Sequence, residues 1–137
     1  QRYDYQTRTL REAEAIPAWL EPVLDRLAAL GVSKDRFDQV IINEYVPGQG
    51  INRHVDNLDC FGPVVVTISL ASAARMEFRR PDGHTVPLTL APRSVALLTG
   101  EARFKWQHAI PERLASGVNN IKATRVSLTF RTVKKQQ

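Results

Sequence analysis

Arg125-Val126-Ser127-Leu128-Thr129-Phe130-Arg131 alternates polar and apolar residues at every step. A period of two marks a strand with unlike faces, here Arg125, Ser127, Thr129 and Arg131 on one side and Val126, Leu128 and Phe130 on the other. The run continues to Val133, and five shorter β-rich runs precede it: Val40 to Tyr45, Val64 to Leu70, Arg75 to Phe78, Thr85 to Leu90 and Val95 to Leu98. Turn signals divide them at Pro47-Gly48, Phe61-Gly62-Pro63, Pro81-Asp82-Gly83 and Ala91-Pro92. Short strands at this spacing predict a two-sheet β-sandwich or jelly roll rather than a parallel α/β sheet. One helix signal stands ahead of them. From Ile16 to Leu30 the apolar residues Trp19, Val23, Leu27 and Leu30 fall at helical spacing, Pro17 suits a first turn, and Gly31 is a stop. This helix is expected to cover a sheet, giving a mostly β fold with a flanking helix.

The 137 residues carry 19 Lys plus Arg against 14 Asp plus Glu, a formal net charge of +5. That length suits a single domain over 1–137, with enough core to fold without staples. The lone Cys60 excludes a disulfide framework within the chain and points to a reducing compartment. No run approaches the ~18 apolar residues of a membrane span, and the first residues lack the order of a signal peptide. A soluble, cytoplasmic monomer is expected. The basic balance favours anionic partners, nucleic acid among them, and also fits ordinary solubility charge. The basic end from Lys134 to Gln137 reads as a frayed tail.

Chemistry begins at His54-Val55-Asp56. In an extended segment residues two apart share a side, so one imidazole and one carboxylate can converge on a metal ion. A third ligand must come from elsewhere, and the remaining histidines are His84 and His108. His84 adjoins Asp82-Gly83 in a turn, where exposure is the default; His108 follows Phe104-Lys105-Trp106-Gln107, whose aromatic content is strand-like. Two His and one Asp leave three metal positions open, the arrangement of non-haem Fe(II) oxygenases. By itself His-x-Asp is a weak signal. The polar face of Arg125 to Arg131 admits two readings, an edge strand facing water or a strip that captures a dicarboxylate through its arginines. Asn43 and Tyr45 share one face of the Val40 to Tyr45 run and offer a second strip.

Taken together these residues resemble a known family. Asn43-Glu44-Tyr45-Val46-Pro47-Gly48-Gln49-Gly50-Ile51-Asn52-Arg53-His54-Val55-Asp56 is similar to the N-x-Y-x-x-G-x-G-I-x-x-H-x-D signature of AlkB-type Fe(II)/2-oxoglutarate dioxygenases. Gly100-Glu101-Ala102-Arg103 leading to His108 resembles the family's third-ligand segment, and Arg125 to Arg131 its R-x-x-x-x-x-R strand. Three motifs in order are far more specific than any one of them. The resemblance implies a double-stranded β-helix, a jelly roll. It implies that His54, Asp56 and His108 hold Fe(II) and that O2 and 2-oxoglutarate are used. Arg125 and Tyr45 would reach the far carboxylate of 2-oxoglutarate, Asn43 and Ser127 would add hydrogen bonds, and Arg131 would sit near Asp56. Gly48 and Gly50 would be turn glycines that let the Asn43 strand approach the His54 segment. The implied reaction couples decarboxylation of the keto acid to hydroxylation of a substrate C–H bond; a hydroxylated N-methyl group then falls apart to formaldehyde.

Relatives of this type hydroxylate or demethylate alkylated bases in DNA or RNA, modify tRNA wobble uridines, or in a minority act on proteins. Repair members tend to carry an acidic residue two positions after the ligand Asp. Here that position is Leu58, with Asp59 following, which counts against simple base repair. Glu101 to His108 and Met76 to Gly83 look closer to the tRNA-modifying branch. Residues 1–9, with Tyr3 and Tyr5, are read as a remnant of the family's N-terminal substrate lid. Arg75, Arg79, Arg80, Arg103 and Lys105 are expected to form a basic face at the pocket mouth. The competing classes are a protein or small-molecule oxygenase and a non-catalytic nucleic-acid-binding relative.

Overall fold

In this computed structural model, residues 15–134 are described in full, preceded by the backbone of two short paired strands, β1 (Arg2–Asp4) and β2 (Thr9–Arg11). The lid reading of residues 1–9 depends on side chains, those of Tyr3 and Tyr5 included, that lie outside the described residues.

Eight further strands form two antiparallel four-stranded sheets. They are β3 (Gln39–Tyr45), β4 (Ile51–His54), β5 (Val65–Leu70), β6 (Ala74–Arg79), β7 (Thr85–Leu90), β8 (Ser94–Leu98), β9 (Gln107–Ile110) and β10 (Arg125–Arg131). One sheet runs β3-β10-β5-β8, the other β4-β9-β6-β7. Consecutive strands thus fall into opposite sheets, except for the β6–β7 hairpin, in the jelly-roll arrangement expected from the strand spacing. The last strand is not at an edge. β10 lies between β3 and β5, with Ser127 opposite both Asn43 and Ser69, and its polar face looks into the sandwich and not into water, for Arg125, Ser127 and Arg131 are buried and line the pocket there.

Two apolar clusters hold this frame. Outside the first sheet, Leu128, Phe130 and Val66 pack with Phe37 against Leu20, Leu24 and Leu27 of the helical segment. Between the sheets, Tyr45, Met76, Leu90, Ile110 and Ile121 form the second. Burying each such aliphatic side chain contributes about 1.5–3 kcal/mol.

The expected helix divides in two, a 3-10 turn over Ala18–Leu20 and then α1 (Glu21–Ala29). Pro22 explains the break, since it has no N–H to donate to the Ala18 carbonyl; the Glu21 N–H bonds there instead, three residues back. Gly31, at φ 66°, ends the helix as expected. The buried stripe is Leu20, Leu24 and Leu27, while Trp19 and Leu30 stay 66% and 70% exposed. Both stripes are helical in period and share Leu27. The one with three leucines fits the surface of Phe37 and Phe130. Phe104 is likewise not in a strand, because α2 (Gly100–Phe104) occupies that stretch and β9 begins only at Gln107.

Candidate active site

The sheet of β4 and β9 brings two distant histidines together. β4 and β9 pair so that His54 stands directly opposite His108, their ring centres 4.3 Å apart. Gly50 makes that pairing possible, because a Cβ there would collide with the Ile110 carbonyl. The close approach is therefore to β9, not to the Asn43 strand as the sequence suggested. Gly48, at φ 86°, is the turn glycine.

Asp56 follows β4 and completes the group. His54 Nε2 lies 3.3 Å and His108 Nε2 3.6 Å from Asp56 Oδ1, and the three donor atoms fall within 4.8 Å of one another. His54 Nδ1 is 2.7 Å from the Asn52 carbonyl, which as a donor to that oxygen leaves Nε2 free to act as a ligand. Arg131 Nη1 contacts Asp56 Oδ2 at 3.0 Å; its Nε donates to Gln39 Oε1 and its guanidinium lies 3.9 Å from the Phe61 ring centre. Burial alone would raise the Asp56 pKa, yet the His54 hydrogen bond and the charges of Arg131 and His108 hold it well below the usual carboxylate range. For His54, burial lowers the pKa but the bonds to Asp56 and the Asn52 carbonyl outweigh it and lift the group above its ordinary value. His108 goes the other way, pushed down to about 4 by burial and then by His54. The arrangement is a carboxylate between one basic and one neutral imidazole, a donor set suited to a divalent transition metal. His84 stands apart in its turn, exposed, with its backbone N–H on Asp82 Oδ1.

The face of β10 supplies the other end of the same pocket, which Asn43, Tyr45, Arg125 and Ser127 line together with the three donors. Register places Arg125 opposite Tyr45 and Arg131 opposite Gln39. Arg125 is 1% exposed, with its guanidinium 5.2 Å from the Tyr45 ring centre. Its Nη2 donates to Ser69 Oγ at 2.8 Å, but Nε and Nη1 are buried with no hydrogen-bond partner. Burial lowers its pKa, with Tyr45 opposing, although a guanidinium keeps its proton at any working pH. A buried cation with two partnerless donors is costly unless an anion arrives. A dicarboxylate with one end on the metal fits that requirement.

Arg103 departs most from expectation. It is not on a basic face but 1% exposed, donating to the backbone carbonyls of Asp56, Asn57, Phe61 and Gly62. It fastens the loop that carries Asp56. The rest of the expected basic face divides as well. Arg75 and Arg79 alternate along β6 with Met76 and Phe78, which pack inward, so they lie on the outer side of the sheet. Arg80 pairs with Asp82 at 3.1 Å and Lys105 with Glu101 at 3.7 Å. Leu58 sits 40% exposed in the turn after Asp56, where Asn57 Oδ1 accepts the N–H groups of Asp59 and Cys60.

Three further residues of the site had no signal in the motifs: Gln39, Ser69 and Phe61. Gln39 and Ser69 could have been found only from strand register, as the cross-strand neighbours of Arg131 and Ser127.

Among the described residues no helix is long and apolar enough to cross a membrane. A family model for the 2OG-Fe(II) oxygenase superfamily matches residues 1–131. The tRNA (carboxymethyluridine(34)-5-O)-methyltransferase ALKBH8 of Mus musculus is 36% identical over 115 residues, covering 81% of this chain and 17% of that protein. Uncharacterized protein L905 of Acanthamoeba polyphaga mimivirus is 34% identical over 127 residues, 89% of this chain and 60% of that one. The chain therefore spans less than two thirds of the length of either. The solved structure of OsALKBH1 superposes with a TM-score of 0.64 at 18% identity, over 85% of this chain and 66% of that chain, a likeness of fold.

Proposed function

Because the chain belongs to the 2OG-Fe(II) oxygenase superfamily, and within it to the AlkB type, its chemistry is that of a dioxygenase using Fe(II), 2-oxoglutarate and O2, and we propose that its substrate is a base in nucleic acid, with tRNA foremost. The observation that carries the reading is one pocket with a His54–Asp56–His108 donor trio at one end and the partnerless nitrogens of Arg125 at the other. The residues fit the cofactors. His54, Asp56 and His108 would hold the iron, and three protein donors leave room for a chelating keto acid and O2. Arg125, with Tyr45, would take the far carboxylate, Asn43 and Ser127 would bond along it, and Arg131 would steady the metal end. When bound, iron and 2-oxoglutarate supply the oxidation of an otherwise inert C–H bond.

The chain's own residues set the conditions for that chemistry. Arg131 and His54 keep Asp56 ionised, so the carboxylate stays available as an anionic ligand. The His54 Nδ1 contact with the Asn52 carbonyl fixes the ring, and His108 and Arg125 are themselves buried.

Nucleic acid is favoured by the +5 charge and by the relative whose name specifies a tRNA uridine. Leu58, where repair relatives tend to carry an acid, favours tRNA over simple methylated bases. The reading is tested by 2-oxoglutarate decarboxylation with methylated DNA, methylated RNA and bulk tRNA in separate arms. Bulk tRNA is expected to stimulate most. Stimulation by none of the three, in a protein that turns over slowly on its own, would refute a nucleic-acid substrate; no turnover at all would favour a binding relative.

A further inference from the structure

β6 and β9 pair so that Phe78 stands opposite His108 and Arg79 opposite Gln107. One step further the same register puts Arg80 opposite Trp106, and the Arg80 guanidinium carbon lies 5.9 Å from the Trp106 ring centre. Both residues lie one position past the ends of β6 and β9, and the strand alternation carried one step on gives them the side of His108 and Phe78, the side of the metal donors. Ring contacts lead outward from the donors, His54 to His108 at 4.3 Å and His108 to Phe78 at 6.1 Å, and the Arg80–Trp106 pair forms the next row. The pair does not line the pocket itself but lies two residues along the chain from His108 and Phe78, open to solvent, with Trp106 half-buried and the Arg80 side chain 45% exposed.

The pair is held in place, yet neither residue belongs to an apolar cluster of the core. Arg80 is tied by Asp82, and its backbone closes the turn through bonds between the Arg80 N–H and the His84 carbonyl and between the Gly83 N–H and the Arg80 carbonyl. The backbone N–H of Trp106 donates to the Glu101 carbonyl and fixes the main chain there. Planar groups already set against each other near a site suit stacking, since less ordering entropy remains to be lost. Because Asp82 offsets the Arg80 charge, the guanidinium offers a plane more than a point charge.

We infer that Trp106 and Arg80 form a stacking platform for the base next to the one that enters the pocket, so that the protein grips an unpaired stretch of RNA or DNA at two successive bases. The inference rests on the nucleic-acid reading of the same site. Every base has a π-face, and both an indole and a guanidinium plane accept one. Unlike a phosphate contact, this one is largely independent of salt.

The test uses the Trp19→Phe protein, in which Trp106 is the only tryptophan, with a short single-stranded oligouridylate as probe. Binding is expected to quench Trp106 fluorescence. Trp106→Leu should weaken the oligonucleotide about 5- to 150-fold, the worth of one stacked base, at every salt concentration. Trp106→Phe should restore most of the loss, since it keeps a π-face of smaller area. Leucine fills the same space without one, so equal binding by the Leu and Phe variants would reduce Trp106 to a packing residue and overturn the platform. So would tight binding without quenching. If the parent protein binds no single strand and no nucleic acid stimulates 2-oxoglutarate turnover, the nucleic-acid reading fails and the platform with it; binding by the parent that Trp106→Leu leaves intact removes the platform alone.

Discussion

Arg125→Met separates what the pocket does for stability from what it does for 2-oxoglutarate. In the wild-type protein two buried guanidinium nitrogens have no partner, and each unsatisfied buried polar group costs about 1–3 kcal/mol. Methionine removes both. It also removes the bond to Ser69 Oγ, worth about 1 kcal/mol, and leaves a small void that offsets part of the gain. Without ligand, the variant should therefore melt between the wild-type temperature and a few degrees above it, at roughly 4 °C per kcal/mol for a chain of this size. Ligand binding moves in the opposite direction. Losing one partner of a buried charge pair costs about 2–5 kcal/mol, so the KM for 2-oxoglutarate should rise by roughly thirtyfold or more. Thermal melts of the protein alone, with Mn(II), and with Mn(II) plus 2-oxoglutarate read both effects on one instrument; the variant should keep the rise with Mn(II) and lose most of the further rise with 2-oxoglutarate. A destabilised apo protein with an unchanged KM would make Arg125 a structural residue and refute the reasoning.

Arg103→Met should lower the melting temperature by roughly 10 °C or more, because the carbonyls of Asp56, Phe61 and Gly62 lose a buried charged donor worth about 3–5 kcal/mol in all; a melt unchanged from wild type would contradict the clamp. Gly50→Ala should cost about 1–3 kcal/mol in chemical denaturation and weaken metal binding more than that loss alone implies, since the new Cβ pushes β4 away from the β9 backbone at Ile110 and Pro111. Metal uptake should also depend on pH. His54 has a raised pKa and must give up its proton to bind, so Mn(II) affinity should climb as pH rises from 6 through the range above 6.5 and then level off; isothermal titration across that range checks the sign, and a flat profile would remove His54 from the ligand set.

Much of this architecture was legible because strand periodicity is a strong local signal. The β10 alternation separated its two faces without saying which looks inward, and two-residue spacing brought His54 and Asp56 to one side. What could not be read locally was pairing. Whether β10 lay at an edge or in the middle depended on β3 and β5, and the partners of Arg131 and Arg125 on those strands, Gln39 and Ser69, followed only from register. Arg103 misled for a related reason. A lone arginine beside Lys105 reads as surface charge, and nothing nearby in sequence reveals that four carbonyls of a loop some forty residues earlier converge on it. The helix stripe failed on one residue type, since Pro22 reshaped the first turn and a neighbouring leucine stripe was equally regular.

The central claim, that this chain holds a divalent metal through His54, Asp56 and His108 beside a 2-oxoglutarate pocket, is tested most directly by Mn(II) titration with 2-oxoglutarate present, comparing His108→Ala with His84→Ala. The wild type and His84→Ala should each bind one ion per chain with the same affinity, and His108→Ala should bind at least a hundredfold more weakly while keeping its far-UV circular dichroism. Loss of metal in His84→Ala, or its retention in His108→Ala, would contradict the account.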